Sequence, residues 1–358
     1  MNIMVFDVPA EKGGALSVLN DFYNEVIESE HTNINWIFVL SNPILNETEN
    51  IRVLRFPWIK KSWGHRLYFD QVVAPKLVKQ YKVDKVFSLQ NITIPRVNCE
   101  QILYVHQPLP FVDYKFSFKD NRLFWVYQNI IGKNIINSIN KSQWVIVQTE
   151  WMRQAVIEKA KVDSLKVEII PPTINLEVKK YFGPNDKSLS TFFYPASGAE
   201  YKNHQVIVDA SKKLKKLGKI NHEVIFTLNG DENNHIRNLY RLVHEEQLPI
   251  RFEGNKTRNE VFDLYTKSIL IFPSYIETFG LPMLEARMHK GIILAAETPF
   301  ALEILKGYEN VKYFEASNSK ELCVLMQQYI NKKVLYKPQL EVQQNEIKHE
   351  RKLITLLT

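Results

Sequence analysis

The stretch Phe272-Pro273-Ser274-Tyr275-Ile276-Glu277-Thr278-Phe279-Gly280-Leu281-Pro282-Met283-Leu284-Glu285-Ala286 sets two carboxylates around the start of a helix. Residues 270–272 read as a buried strand that runs into a loop. Gly280 lets the backbone turn without a Cβ clash, and Pro282 fits the first helical turn, where its missing N–H costs nothing. The spacing predicts a helix over 281–289, closed by Gly291. Glu277 then lies in the loop and Glu285 about one turn inside the helix. Between them, backbone N–H groups and the positive end of the helix dipole are presented to a ligand. A carboxylate accepts from sugar hydroxyls and exposed amides suit a phosphate. One short segment can thus hold both ends of a nucleotide-sugar.

Two glutamates around a strand-loop-helix can be plain surface residues, but the whole string is more specific. It resembles the E-x7-E motif of retaining glycosyltransferases of family 4 (glycosyl transferases group 1). The likeness includes the Phe-Gly-Leu-Pro at 279–282 and the Leu-Glu-Ala at 284–286, and extends in weaker form over residues 1–334. It implies a GT-B architecture, with two Rossmann-like domains whose parallel sheets face each other across a cleft.

Composition fits a large globular enzyme. A chain of 358 residues suggests two domains, and 45% hydrophobic with 24% charged residues fits neither a disordered nor a membrane-spanning chain. No apolar run reaches the ~18 residues a spanning helix needs. Residues 1–12 have no basic start and no long apolar stretch, so they do not read as a signal peptide. Cys99 and Cys323 have no metal spacing and read as free thiols of a reducing cytoplasm.

The net charge of +7 is unevenly spread. Residues 1–50 carry one Lys against eight acids, −7, whereas residues 51–141 carry fifteen Lys or Arg against five acids, +10. Aromatics interleave with this basic block, among them Trp58, Trp63, Phe116 and Phe118. The pattern fits an anionic membrane surface, an acceptor groove or a solvated basic face with aromatics in the core. No helix-turn-helix, zinc-finger or RNA-binding signature accompanies it, so nucleic acid is not expected as a partner.

Short apolar strands alternate with helical patterns in two series. The first has strands near 2–8, 36–40, 51–56, 86–89, 102–106 and 144–149; the second near 192–195, 222–228, 250–252, 269–272, 292–296 and 311–314. The helix over 15–29 places Leu16, Leu19, Phe22, Tyr23, Val26 and Ile27 on one face. Thr257-Arg258-Asn259-Glu260 reads as a capping box. Such alternation implies parallel sheets covered on both faces. The expected organisation is an acceptor-side domain at 1–172, a linker at 173–190 and a nucleotide-sugar-binding domain at 191–338. A helix over 339–358 would, by resemblance, pack back on the first domain.

Other candidates sit where strands meet helices. Gly13 and Gly14 open the first helix, where glycines let amides approach an anion. The resemblance places this loop at the diphosphate or the acceptor. A full G-x-G-x-x-G is missing, which argues against a nicotinamide enzyme. Lys202-Asn203-His204 resembles the family segment whose Lys meets the donor diphosphate. Many family members carry a Gly-Arg pair a few residues earlier, whereas this chain reads Tyr194-Pro195-Ala196-Ser197-Gly198, so Ser197 and backbone amides would replace that Arg. His106, after an apolar strand, matches the family His near the donor sugar. Asn229-Gly230 and the loop at Gly254 resemble those framing the nucleotide base.

The chain has no Asp-x-Asp, the pair that holds a divalent cation in the other main glycosyltransferase fold. Lys202 and helix N-termini would supply the positive field instead. The expectation is therefore a metal-independent, cofactor-free enzyme that retains the anomeric configuration. His106, Glu277 and Lys202 would be catalytic. Gly13, Gly14, Ser197, Lys202, Asn229, Gly230, Gly254, Thr278, Phe279, Gly280, Leu281 and Glu285 would hold the donor, with Glu285 on the ribose and Glu277 on the sugar. The donor expected is a UDP-sugar and the acceptor a glycan or lipid-linked glycan of surface polysaccharide synthesis. The location would be cytoplasmic, peripheral on the inner membrane face. The alternative is a catalytically silent binding or scaffolding partner that keeps the fold.

Overall fold

The computed structural model describes all residues except 12, 30, 32, 120, 173–177, 219–220 and 339–351. The chain forms two compact units, Met1–Ile174 with Glu346–Thr358, and Asn175–Asn345.

In the first unit, β1 (Asn2–Asp7), β2 (Asn35–Leu40), β3 (Ile51–Arg55), β4 (Lys85–Ser88), β5 (Glu100–Tyr104), β6 (Trp144–Val147) and β7 (Val167–Ile169) form one sheet. Every pairing is parallel, in the order β3-β2-β1-β4-β5-β6-β7. Successive residues point to opposite faces of a strand, so β1 serves two cores. Ile3 and Val5 join Leu19, Phe22 and Val26 of α1 (Gly13–Glu28), where Phe22 meets Trp36 at 5.8 Å and Phe87 at 4.9 Å, both edge-on. Ile27, expected on that face, is exposed instead. Met4, Phe6 and Val8 pack on the other side with Ile59, Phe69 and Val78.

Two helices of this unit contain a π-helical turn. Phe69–Val73 joins α2 (Trp63–Tyr68) to α3 (Ala74–Gln80), and Tyr127–Ile131 joins α4 (Arg122–Val126) to α5 (Gly132–Lys141). Ser62 and Asn121 cap them, accepting from the amides of His65 and Phe124. Between β6 and β7 runs α6 (Glu150–Ala160). Two of the aromatics singled out among the cations turn inward. Trp58 packs edge-on against Phe56 and Phe69, and Phe116 is buried beside Phe124.

Residues 339–351 of the expected terminal helix lie outside the described residues, and Leu353–Leu356 form a 3₁₀ turn rather than an α-helix. Leu353, Ile354 and Leu357 are buried in the core that α1 covers. The Ile354 amide donates to Glu25 at 3.1 Å and Lys85 Nζ to the Leu357 carbonyl at 3.0 Å.

The second unit holds β8 (Thr191–Tyr194), β9 (Glu223–Phe226), β10 (Ile250–Phe252), β11 (Ile269–Phe272), β12 (Ile293–Ala296) and β13 (Val311–Phe314). They lie all parallel in the order β10-β9-β8-β11-β12-β13. The crossovers carry α7 (His204–Lys216), α8 (Asn234–Glu245), α9 (Arg258–Tyr265), α10 (Leu281–Met288) and α11 (Pro299–Ile304), with α12 (Ser319–Ile330) after the last strand. The capping box forms, Thr257 and Glu260 each satisfying the other's amide. Residues 181–190, read from sequence as linker, lie against this unit. Phe182 is buried, its amide donates to the His289 carbonyl at 2.8 Å, and that of Gly183 to the Thr266 carbonyl at 3.1 Å.

Candidate active site

The strand order of the second unit reverses between β8 and β11. β9 and β10 lie to one side and β12 and β13 to the other, so the loops leaving β8 and β11 diverge and open a crevice at the strand ends. The β8 loop carries Ser197 and Lys202, and the β11 loop carries Glu277, Thr278 and Phe279. Hydrogen bonds clamp the two loops together. Asn203 Nδ2 donates to the carbonyls of Pro273 at 3.2 Å and Ala316 at 2.8 Å, and the Tyr275 amide donates to the Tyr201 carbonyl at 3.2 Å. Tyr194, fully buried on β8, donates its hydroxyl to the Lys202 carbonyl at 2.8 Å. Asn203 stands in the left-handed region at φ 61°, which Asn tolerates better than most residues, and starts α7.

This clamp brings Lys202 Nζ onto Glu277 Oε1 in an ion pair whose two side chains are largely buried. Burial acts to lower the Lys202 pKa, but the Glu277 carboxylate and Tyr201 together outweigh it and the ammonium's pKa is raised. His204, two residues on, faces inward. It is buried against the rings of Tyr194 (4.8 Å) and Phe226 (5.0 Å), and desolvation pushes its pKa down to about 3. In the Lys-Asn-His string, therefore, Lys202 carries the charge, Asn203 shapes the backbone and His204 fills the core.

Gly280 ends the β11 loop at φ 92°, and an added Cβ would lie 2.6 Å from Met283 Cε. Leu281 and Pro282 then open α10, so its first amides lie at the same strand-end edge as the ion pair. Phe279 is buried and Thr278 half-buried. Glu285, on the second turn, accepts from the Tyr265 hydroxyl at 3.1 Å and lies 3.8 Å from Arg258. Burial raises the Glu285 pKa against the lowering effects of Tyr265 and Arg258.

Parallel strands put Asn229, Gly230 and Gly254, after β9 and β10, at that same edge. The Gly254 amide donates to the Leu228 carbonyl at 2.9 Å, and a Cβ on Gly254, at φ 72°, would fall 2.6 Å from Asn229 Oδ1. These two loops touch, and only glycine allows it. Glu232 accepts from the amides of Asn229 at 2.6 Å and Gly230 at 3.1 Å. Ser197 is exposed in its loop.

Gly13, Gly14 and His106 belong to the first unit. The two glycines form the exposed first turn of α1. His106 follows β5, donates its amide to Asn91 Oδ1 at 2.7 Å and meets Tyr104 edge-on at 5.7 Å. Desolvation lowers its pKa to about 4, so the imidazole is neutral near pH 7 and can donate to or accept from a hydroxyl. Asn203, Tyr265 and Arg258 were not among the residues singled out for the site. Asn directly before a helix was a usable signal for Asn203. Nothing local marks Tyr265, whose partner is 20 residues away.

Residues 179–349 match the family described as glycosyl transferases group 1. An O-antigen chain mannosyltransferase, RfbU of Salmonella typhimurium, is 21% identical over 272 residues, 75% of this chain and 70% of that one. The fold resembles Anabaena HepE, solved in complex with UDP and glucose, with a TM-score of 0.66 at 16% identity over 93% of this chain and 90% of that one. It also resembles sucrose-phosphate synthase of Thermosynechococcus elongatus, with a TM-score of 0.70 at 12% identity over 92% and 90%. The two parallel sheets are those of the GT-B glycosyltransferases. The family match spans nearly all of the second unit, so that unit is a glycosyl transferases group 1 domain and the chain is a glycosyltransferase.

Proposed function

We propose that the chain moves a hexosyl or N-acetylhexosaminyl group from a UDP-sugar to a glycan or lipid-linked glycan in surface polysaccharide synthesis, with retention and without a metal. The observation that carries this reading is the buried Lys202–Glu277 ion pair beside the start of α10. A diphosphate entering there gains the Lys202 ammonium and the α10 amides, and Glu277 is released to accept from sugar hydroxyls. Glu285, backed by Tyr265, takes the ribose, while Ser197, Asn229, Gly230 and Gly254 shape the base end. In the transfer, the bond from anomeric carbon to diphosphate oxygen breaks and a bond to the acceptor oxygen forms on the same face. The departing diphosphate keeps the bonding electrons, and the hydroxyl proton passes to a phosphate oxygen. Neutral His106 would contact the sugar. The UDP and glucose seen with HepE and the sugar transfer named for RfbU support donor and product class. Peripheral contact with the cytoplasmic face of the membrane would bring a lipid-linked acceptor within reach. The test is mass spectrometry of products after incubation with a panel of nucleotide-sugars in EDTA. A glycosylated product with free UDP is expected; a strict need for Mg²⁺ or Mn²⁺ would overturn the metal-free part.

A further inference from the structure

Several exposed apolar side chains of the first unit lie on its two π-bulged helices, while others, such as Ile44 and Leu165, stand elsewhere. In α2, Trp63 is 61% and Leu67 62% exposed, one turn apart. On the other helix, Leu123 is 53% and Ile130 52% exposed, with half-buried Tyr127 between them. Leu123 and Tyr127 are four residues apart, and Ile130 follows within the π-helical turn. The rings of Trp63 and Tyr127 meet edge-on at 6.2 Å, which joins the two rows into one surface. Phe118, 49% exposed, lies under the Arg122 guanidinium at 5.4 Å and against Trp125 at 5.2 Å.

Cations accompany these residues. Lys61, Lys119, Arg122 and Lys133 are exposed in or beside the same elements. The acid in α2–α3, Asp70, is buried and bonded to Arg66 at 2.6 Å. Lys60, in contrast, is held by Glu11 at 3.2 Å and donates to the Pro9 carbonyl at 3.0 Å, so its charge is offset.

We propose that this surface, with Trp63, Leu67, Leu123 and Ile130 as its apolar residues and Lys61, Lys119, Arg122 and Lys133 as its cations, docks on an anionic lipid bilayer. Aromatic and aliphatic side chains enter the headgroup boundary while lysine and arginine meet lipid phosphates. A second copy of the chain fits the surface worse, because a two-fold contact would bring these cations against themselves. Nucleic acid fits worse too. Leu67, Leu123 and Ile130 have no ring on which a base could stack, whereas acyl chains accept them. The proposal deepens the reading of a lipid-linked acceptor, which it takes as given. The occupied surface belongs wholly to the first unit and contains no residue placed in the donor site.

Flotation with phosphatidylcholine vesicles containing about one-third phosphatidylglycerol tests it, since anionic headgroups are the partner. The protein should float with these vesicles at low salt and not with pure phosphatidylcholine, and should dissociate as salt screens the attraction. Lys61→Glu/Arg122→Glu should lower vesicle affinity by roughly tenfold or more, since each cation near an anionic surface counts. Trp63→Ser/Leu67→Ser should lower it in high salt as well as low. Both variants should bind UDP in calorimetry as the wild type does, which separates a lost surface from a failed fold or a failed donor reading. Absence of flotation at low salt would overturn the proposal, as would binding indifferent to both variants. A concentration-dependent dimer abolished by Trp63→Ser/Leu67→Ser, or retention of single-stranded oligonucleotide in place of vesicles, would assign the surface to another partner and overturn it too.

Discussion

Lys202 and Glu277 lie 75 residues apart in sequence and form one ion pair in the fold. Burial acts against a bare ammonium, and the carboxylate beside Lys202 offsets part of that cost. In the proposed reading the pair holds Lys202 in place before substrate arrives, and the donor diphosphate would exchange partners with it. Glu285 is different. Its partners are the Tyr265 hydroxyl and a distant Arg258, and burial raises its pKa. A ribose hydroxyl donating to Glu285 would favour the ionised form. The two glutamates should thus separate in calorimetry and kinetics. Glu285→Ala should weaken free UDP by about tenfold, one hydrogen bond to a charged group. Glu277→Ala should leave UDP affinity equal or tighter, since Lys202 is freed, and should mainly reduce turnover of the full donor. Unchanged UDP affinity in Glu285→Ala would remove the ribose assignment.

At the scale of elements, the loop from Glu277 to α10 works because Gly280 reverses the backbone at φ 92°. A side chain there meets both the strain of the left-handed region and the Met283 methyl at 2.6 Å. Gly280→Ala should cost about 1–3 kcal/mol in urea unfolding of the second unit and weaken UDP. Gly14→Ala, where an added Cβ meets nothing within 4 Å, should stay within about 0.5 kcal/mol. Equal effects would contradict this account of the turn. Elements of this kind were legible in the sequence for physical reasons. β11 is the apolar run Ile-Leu-Ile-Phe, buried on both faces, and the capping box at Thr257 is a local pattern with a local cause. β7 was not, since Val167-Glu168-Ile169 is too short and too polar to stand out. Inward and outward aromatics were also indistinguishable. Trp58 and Trp63 sit in equally basic surroundings, and only the end of one helical turn and the start of another turn one inward and the other out.

At the scale of the whole molecule, each unit builds its parallel sheet around one reversal of strand order, between β1 and β4 in the first and β8 and β11 in the second. That repetition explains why the candidate residues follow strand ends: Gly13 after β1, His106 after β5, Lys202 after β8, Glu277 after β11. The motif strings were readable because each sits on one loop. The Lys202–Glu277 contact and the Glu25–Ile354 bond were not, because distant segments make them. The last residues matter to the first unit. Leu357 is fully buried in its core, so Leu357→Ala should destabilise that unit by about 2–4 kcal/mol in urea unfolding, with donor affinity unchanged. A loss below about 0.5 kcal/mol would show that the terminal turn is dispensable. The central claim is that Lys202 carries the leaving diphosphate in a sugar transfer that needs no metal. The direct measurement is the initial rate of UDP release from the preferred UDP-sugar in EDTA, for wild type and Lys202→Ala. A charge-assisted contact of about 1.5–3 kcal/mol predicts a loss of roughly tenfold to a hundredfold in kcat/KM. A variant within about twofold of wild type, or a wild type silent in EDTA and restored by Mg²⁺, would contradict it.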